Sequence, residues 1–229
     1  MNKKKISLQI LEILKTTYPD AKCELFFKNN FELLIATILS AQCTDVAVNK
    51  VTPQLFNKYR SPDLLAKASI QNLEEIIKPT GFYKNKAKNI LATSQILVKQ
   101  YASQVPDDIN ELIKLPGVGR KTANVVLSNG FGINVGIVVD THVKRISKFL
   151  KLTTSNDPTA IENDLISLFP QQNWGILSHL LIAHGRKICI ARKPKCSICQ
   201  LNKYCCFPNK ILTHSRHKIE HLRLNKTLT

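Results

Sequence analysis

Residues 115–127 read Leu-Pro-Gly-Val-Gly-Arg-Lys-Thr-Ala-Asn-Val-Val-Leu, and residues 138–143, after a glycine-containing link, read Val-Val-Asp-Thr-His-Val. The acidic and apolar residues at 107–113 predict a short helix before Pro116, and residues 122–127 support a second helix that starts after Gly119. Pro-Gly-Val-Gly joins the two, because glycine permits positive φ and the close approach of another chain. This stretch therefore predicts a helix–hairpin–helix.

The hairpin also predicts a contact with a nucleic acid. The N–H groups at the start of a helix have no intrahelical acceptor, and together with the helix dipole they attract anions such as phosphate. This favours DNA or RNA as a partner without specifying an activity. The residues expected to contact the nucleic acid here are Pro116, Gly117, Val118, Gly119, Arg120 and Thr122.

Lys121 is the candidate nucleophile. It falls in the first turn of the second predicted helix, where the positive end of the helix dipole disfavours a protonated amine. Burial would favour the neutral amine further, and a neutral amine can form a Schiff base. A surface lysine that holds a phosphate is the alternative, and position alone leaves both open.

Asp140 follows an apolar run and precedes a predicted helix that starts at Thr141. Aspartate in this position is a preferred helix N-cap. A capping carboxylate stays ionised, so it can also face a cation. The two roles of Asp140 are compatible.

The two quoted stretches together resemble the endonuclease III family of helix–hairpin–helix DNA glycosylases, and the resemblance extends over residues 6–205. In that family the lysine of the hairpin helix is the nucleophile and the aspartate is the essential carboxylate. They match Lys121 and Asp140. The interval between them is one residue longer here than is usual for the family, and we expect the extra residue in the glycine-containing link.

The net charge of +17 points to a polyanionic partner, although abundant Lys, Asn and Ile indicate that genomic bias contributes. Apolar residues make up 44% of the chain, as in ordinary globular proteins. Gln9 and Glu12 interrupt the first apolar stretch, so it predicts an amphipathic helix and not a signal peptide. No run reaches the roughly 18–20 apolar residues of a membrane span. We expect a soluble, cytoplasmic monomer with no membrane association.

Apolar residues recur at helical spacing along nearly the whole chain and predict an all-α fold, with one helix bent or ended at Pro53. The resemblance implies the division of this fold. Residues 22–134 would form a helical barrel domain containing the hairpin. Residues 1–21 and 135–211 would form an iron–sulfur cluster domain, and residues 212–229 look like a basic tail.

Four cysteines with the spacing C-x6-C-x2-C-x5-C predict a metal centre: Cys189, Cys196, Cys199 and Cys205. Thiols grouped in one loop of an intracellular chain favour metal over disulfides. The residues alone leave zinc and an iron–sulfur cluster open. The resemblance implies a [4Fe–4S] cluster and selects Cys205 over the adjacent Cys206.

The loop around these cysteines is basic, and we expect it to present cations to DNA phosphates. A solvated charged surface is the alternative. The residues concerned are Arg186, Lys187, Arg192, Lys193 and Lys195.

An enzyme that acts on a base within a duplex must extrude that base and fill the gap. The segment Ser-Ala-Gln-Cys-Thr-Asp at 40–45 resembles the family segment whose glutamine, here Gln42, enters the vacated space. Gly-Phe-Tyr at 81–83 matches a second intruding loop, with Phe82 where the family often has Leu. Without the resemblance, Gln42 would be interpreted as a solvated turn residue. Phe82 could be either an aromatic wedge that stacks on a base or a residue of the hydrophobic core.

The resemblance implies a bifunctional DNA glycosylase and apurinic/apyrimidinic lyase. Such an enzyme removes oxidised pyrimidines from duplex DNA and cleaves the strand on the 3′ side of the abasic site by β-elimination. Two rivals remain. An adenine-mismatch glycosylase of the same fold usually lacks the lysine and carries a further C-terminal domain. A non-catalytic DNA-binding module would use the hairpin only to hold phosphate.

Overall fold

The computed structural model describes residues 2–208, and within them the protein is all helical, which confirms the predicted class. The predicted basic tail at 212–229 lies outside the described residues. The α-helices of the described part are α1 (Lys3–Thr17), α2 (Asn30–Leu39), α3 (Asp45–Lys58), α4 (Pro62–Leu65), α5 (Ile70–Ile77), α6 (Tyr83–Gln100), α7 (Ile109–Leu112), α8 (Arg120–Val126), α9 (Thr141–Phe149), α10 (Pro158–Leu168) and α11 (Trp174–Lys187). None of the described helices is long and apolar enough to cross a membrane.

Polar side chains mark where many of these helices begin. Asn29, Thr44, Ser61 and Asp157 each accept a hydrogen bond from a backbone N–H of the first turn, which supplies an acceptor that the helix itself lacks. Pro53 lies inside α3, so of the two alternatives, a helix bent or a helix ended at this residue, the second is excluded. The buried face of α3, with Val48, Val51, Thr52 and Leu55, provides packing that outweighs the one lost backbone hydrogen bond.

One compact unit, called here the hairpin unit, consists of Lys22–Val138 and Gln171–Gly175. Its centre is α2, in which every residue from Phe31 to Leu39 is buried. A helix that is apolar on all sides must be surrounded, and α2 packs against α3, α6 and α8. Helix α8, the second helix of the hairpin, thus packs directly on this core.

A π-helical turn at Leu127–Phe131 follows α8 directly. Such a turn takes one more residue than an α-helical turn and occurs mostly as an insertion within a helix. It ends at Gly132, whose φ of 70° is left-handed. The interval between Lys121 and Asp140 is one residue longer than is usual for the family, and this π-helical turn is a place where one extra residue can be accommodated.

The second compact unit, called here the cysteine unit, contains residues 2–21, Val139–Pro170 and the described residues from Ile176 onward. Helix α1 packs against α10, where the buried hydroxyl of Ser7 donates to the carbonyl of Leu168 at 3.1 Å. Helices α9 and α11 carry buried apolar residues of the same unit, including Ile146 and Leu181. The four predicted metal ligands follow α11.

The hairpin unit extends to Val138 and includes residues 171–175, whereas the predicted barrel domain ends at residue 134. Two hydrogen bonds explain the added segment. Gln171 donates to the carbonyl of Asn134 at 2.8 Å, and the N–H of Gly175 donates to the Asn134 side chain at 3.1 Å. The functional assignment of each domain stays a prediction.

Candidate active site and metal centre

The hairpin is formed by α7, the turn at 113–119 and α8. Leu112, Leu115 and Val118 are buried and anchor it in the core of the hairpin unit. The N–H of Val118 donates to the carbonyl of Leu115 at 3.1 Å. Val118 therefore holds the turn together. Because its side chain is buried and its N–H is already hydrogen-bonded, neither group is available for the predicted direct contact with a nucleic acid.

Helix α6 supports the hairpin through its polar residues. The hydroxyl of Thr93 donates to the carbonyl of Pro116 at 2.9 Å. Gly117 has a φ of 78° and lies directly against the side chain of Asn89. Pro116 and Gly117 are therefore positioned by two residues of α6 for which the sequence provided no functional signal.

Gly119 caps α8 without a side chain, so no side-chain acceptor caps the first turn of this helix. Arg120 and Lys121 are exposed and Thr122 is half-buried. The side chain of Lys121 lies on the outer face of α8 and is exposed to solvent. An exposed amine at this point remains accessible to a large ligand.

Asp140 is half-buried and occupies the N-cap of α9, as predicted. Its Oδ1 accepts the N–H of Val143 at 2.8 Å. No donor from the described residues occupies Oδ2. Capping therefore uses one carboxylate oxygen, and the other can stabilise a positive charge.

Gln42 and Phe82 share an unusual backbone conformation. Their φ values are 51° and 47°, in the left-handed region that non-glycine residues rarely adopt. Gln42 is exposed, and Phe82 is 67% exposed. The alternative of a core phenylalanine is therefore wrong. Strained, exposed side chains of this kind concentrate at ligand-binding sites.

Lys86 is buried beneath the loop that carries Phe82, and sequence reasoning missed it. Its Nζ donates to the carbonyl of Thr80 at 2.8 Å, and Thr80 is itself buried. Burial lowers the pKa of Lys86, and the neighbouring Cys43 opposes this effect. Residues 84–89 read Lys-Asn-Lys-Ala-Lys-Asn, so nothing in the local pattern distinguished Lys86 from its neighbours.

The four predicted metal ligands line one cavity of the cysteine unit, together with apolar residues that include Phe149, Leu150, Leu201 and Phe207. Among the described residues, no three His, Cys, Asp or Glu side chains are arranged to hold a single metal ion. A polynuclear cluster needs a space lined by all of its ligands, and the four cysteines share such a cavity. Burial raises the pKa of Cys199 to about 11, so a bound cation is needed to keep it a thiolate at neutral pH. The residues fit an iron–sulfur cluster.

Cys206 is placed differently from Cys205. It is exposed, it does not line the cavity, and its Sγ lies 3.7 Å from the carbonyl of Lys148. Cys205 lines the cavity, and its Sγ accepts the N–H of Phe207 at 3.3 Å. This arrangement favours Cys205 as the fourth ligand.

Two further residues of the cysteine unit contact the predicted ligands. Arg145 donates to the carbonyl of Cys189 at 2.6 Å, and His184 Nε2 lies 3.7 Å from Cys199 Sγ. His184 is buried, and burial lowers its pKa to about 4. The sequence analysis assigned neither residue a role, although His184 lies among apolar residues of α11, where a buried polar side chain needs a partner.

All five basic residues predicted to contact DNA are exposed: Arg186, Lys187, Arg192, Lys193 and Lys195. They occupy the end of α11 and the loop that follows it, within the same unit as the four cysteines. This loop presents a concentrated positive charge to solvent.

The fold and the site define a helix–hairpin–helix repair protein. A family model described as HhH-GPD superfamily base excision DNA repair protein matches residues 35–171, and one described as the iron–sulfur binding domain of endonuclease III matches residues 189–205. Endonuclease III of Synechocystis sp. is 52% identical over 89% of this chain and 93% of its own length. Endonuclease III of Escherichia coli is 41% identical over 92% and 99%. This chain belongs to the endonuclease III family.

Solved structures agree with this assignment. A trapped covalent intermediate of endonuclease III with DNA, an estranged-adenine complex, has a TM-score of 0.84 and 46% identity, over 90% of this chain and 96% of that chain. A non-covalent complex of endonuclease III with DNA also has a TM-score of 0.84, with 43% identity, over 97% and 100%. The cofactor that this family assignment implies is a [4Fe–4S] cluster.

Proposed function

We propose that this protein is a bifunctional DNA glycosylase and apurinic/apyrimidinic lyase of base excision repair. It removes oxidised pyrimidines from duplex DNA and cleaves the strand 3′ to the abasic site. The observation that carries the proposal is the exposed amine of Lys121 in the first turn of α8, directly after a hairpin that α6 holds in place. A solved relative was trapped as a covalent intermediate with DNA, and we propose a bond of the same kind here.

Lys121 supplies the nucleophile. Its neutral nitrogen attacks C1′ of the damaged nucleotide, and the bond between C1′ and the base breaks, so that the base leaves with the electron pair and takes up a proton. Opening of the sugar ring then gives a Schiff base between Lys121 and C1′. The Schiff base makes the C2′ proton acidic, and its removal expels the 3′ phosphate by β-elimination.

Asp140 supplies negative charge. As the base departs, positive charge develops on the sugar, and a carboxylate with a free oxygen stabilises it. In the mechanism that the family resemblance implies, the same carboxylate also assists in activating Lys121. The helix cap made by the other oxygen fixes the orientation of the carboxylate during both events.

Exposed residues of both units support binding of duplex DNA. Pro116, Gly117, Gly119, Arg120 and Thr122 of the hairpin would contact the phosphate backbone, with Val118 as the internal anchor of the turn. Gln42 and Phe82 would occupy the space left by the extruded base, because both are exposed and fixed in left-handed conformations. The basic loop at 186–195 would contact further phosphates.

We assign Cys189, Cys196, Cys199 and Cys205 as the ligands of the [4Fe–4S] cluster. When bound, the cluster supplies four strong sulfur–iron bonds that hold the loop at 189–205. The loop's lysines and arginines are then presented in a fixed arrangement. The protein would act as a monomer in the cytoplasm, where bacterial DNA is located.

Borohydride trapping on DNA with an abasic site tests the nucleophile. Lys121→Ala should abolish the trapped complex and retain DNA binding. Lys121→Arg is the matched control for charge, since a guanidinium holds phosphate but does not form the Schiff base. If Lys121 only holds phosphate, the Arg variant should trap at the wild-type level, and that result would refute the proposal.

Trapping and a base-release assay on the wild-type protein together separate the rival functions. A non-catalytic DNA-binding module would give no trapped complex in the wild-type protein. An adenine-mismatch glycosylase would release adenine from a mismatch and leave thymine glycol in place. Release of thymine glycol with strand cleavage from the wild-type protein supports the proposal over both.

A further inference from the structure

His184 contacts two of the proposed cluster ligands. Its main-chain carbonyl accepts the N–H of Cys189 at 2.8 Å, and its ring Nε2 lies 3.7 Å from the Sγ of Cys199. The other ring nitrogen, Nδ1, lies 2.9 Å from the hydroxyl of Tyr18. His184 is 4% exposed and Tyr18 is 6% exposed, so both groups are shielded from water.

The chemistry of the ligand decides the direction of these hydrogen bonds. A cysteine sulfur bound to iron carries no proton, so it can only accept a hydrogen bond. Nε2 of His184 must therefore carry the hydrogen. In a neutral imidazole Nδ1 is then an acceptor, and the Tyr18 hydroxyl must be its donor.

We infer that His184 is a positioning residue for the iron–sulfur cluster, which donates an Nε2–H hydrogen bond to Cys199 Sγ in a tautomer fixed by the Tyr18 hydroxyl. The two rings meet edge to face, with centroids 5.9 Å apart and an interplanar angle of 65°. Tyr18 ends α1, so the hydrogen-bonded chain joins the N-terminal helix to the cluster loop. The inference goes beyond the repair activity and rests on Cys199 as a ligand.

A hydrogen bond to a cluster sulfur withdraws electron density from iron and stabilises the more reduced state. His184 should therefore hold the midpoint potential of the cluster more positive than it would be without the bond. The potential is a suitable readout, because a role confined to folding would leave it unchanged in any protein that retains the cluster.

The potential should be measured by voltammetry on the loaded protein without DNA, in four variants. His184→Phe should shift it to more negative values. His184→Gln, which keeps an N–H donor, should recover part of the shift, and Tyr18→Phe should give a smaller shift of the same sign. Tyr204→Phe is the matched control. The Tyr204 hydroxyl donates a hydrogen bond to Gln9 of the same unit at 3.0 Å and contacts no ligand sulfur. The midpoint potential of the cluster in this variant should therefore equal that of the wild type.

Pulsed electron paramagnetic resonance gives a second readout that needs no variant. With 15N-labelled histidine and the cluster in a paramagnetic state, the wild-type protein should show an imidazole nitrogen coupling and an exchangeable proton coupling. Both should disappear in His184→Phe. If the Phe variant fails to retain iron, the wild-type couplings and the Tyr18→Phe potential decide the question.

Three results would overturn the inference. The first is a wild-type protein that shows neither coupling, and the second is a His184→Phe variant with the wild-type potential. The third is a Tyr18→Phe variant with the wild-type potential, which would remove the role of Tyr18. Iron content and the cysteine variants test the ligand assignment separately. A wild-type chain that binds no iron would therefore refute the cofactor assignment, and this result is distinguishable from the other three.

Discussion

Asn89 of α6 lies so close to Gly117 of the hairpin that a Cβ at position 117 would be 2.8 Å from Asn89 Nδ2 and 3.0 Å from Asn89 Cβ. The distance to Asn89 Cβ is the stronger constraint, because Asn89 Cβ cannot move away unless the backbone of α6 moves with it. The hairpin and α6 therefore fit together only when residue 117 has no side chain. This contact, with the Thr93 hydrogen bond to Pro116, sets the position of the residues just before Lys121.

Gly117→Ala should lower the free energy of unfolding more than Gly132→Ala. Both glycines have left-handed φ values, 78° and 70°, so both substitutions should carry the strain of roughly 1–2 kcal/mol for a Cβ in that region. A Cβ at position 132 would meet nothing within 4 Å. Overpacking against Asn89 should add about 1–3 kcal/mol at position 117 alone. Urea unfolding of the two variants measures the difference, and equal losses would contradict the proposed fit.

Phe82→Ala should reduce excision from duplex DNA and leave folding nearly unchanged. The ring is 67% exposed and contributes little to the core, whereas a stacked aromatic is worth about 1–3 kcal/mol per base. The rate should fall roughly 5- to 150-fold. Phe26→Ala is the matched control, since Phe26 is 69% exposed in the same unit.

Single-turnover excision with a thermal melt compares the two phenylalanine variants. The loss in Phe82→Ala should be smaller on DNA whose target base is already unpaired, because less energy is needed to extrude it. An equal loss on both substrates would argue against a role in filling the gap.

Asp140→Asn should separate capping from catalysis. Asparagine caps a helix about as well as aspartate, so the stability should change by no more than about 1 kcal/mol. Loss of the negative charge should slow base excision by at least ~100-fold, because such electrostatic contacts are worth roughly 10²–10³ in rate. Asp157→Asn is the control, since Asp157 caps α10 through a 2.9 Å bond to Ala160. Single-turnover excision of thymine glycol at the wild-type rate in Asp140→Asn would leave Asp140 with a capping role only.

Cys205→Ser should lose the cluster, whereas Cys206→Ser should retain it. The Cys205 sulfur lines the cavity of the four thiols, and the Cys206 sulfur faces the carbonyl of Lys148. The readouts are iron per chain and the broad absorbance near ~400 nm of thiolate-bound iron. Stoichiometric iron in the Cys205 variant together with loss in the Cys206 variant would reverse the assignment.

Local chemistry made much of the fold predictable. The caps Ser61, Asp108, Asp140 and Asp157 were readable because an oxygen before an apolar run supplies the acceptor that a helix start lacks. The course of α3 through Pro53 was not readable, because packing of its buried face outweighs a local preference. The same limit applies to the exposure of Lys121, which depends on how α8 is rotated against α2.

The sequence by itself determined the all-helical class, the hairpin and the spacing of the four thiols, and its family resemblance predicted Lys121 and Asp140 as the catalytic residues. Each of these depends on neighbours along the chain or on a motif of fixed spacing. Only the tertiary structure decided that Phe82 is exposed, that Asn89 and Thr93 hold the hairpin, and that His184 joins Tyr18 to Cys199. Tyr18 and His184 are 166 residues apart in the chain. A contact at that separation leaves no local pattern, because it depends on the packing of whole helices.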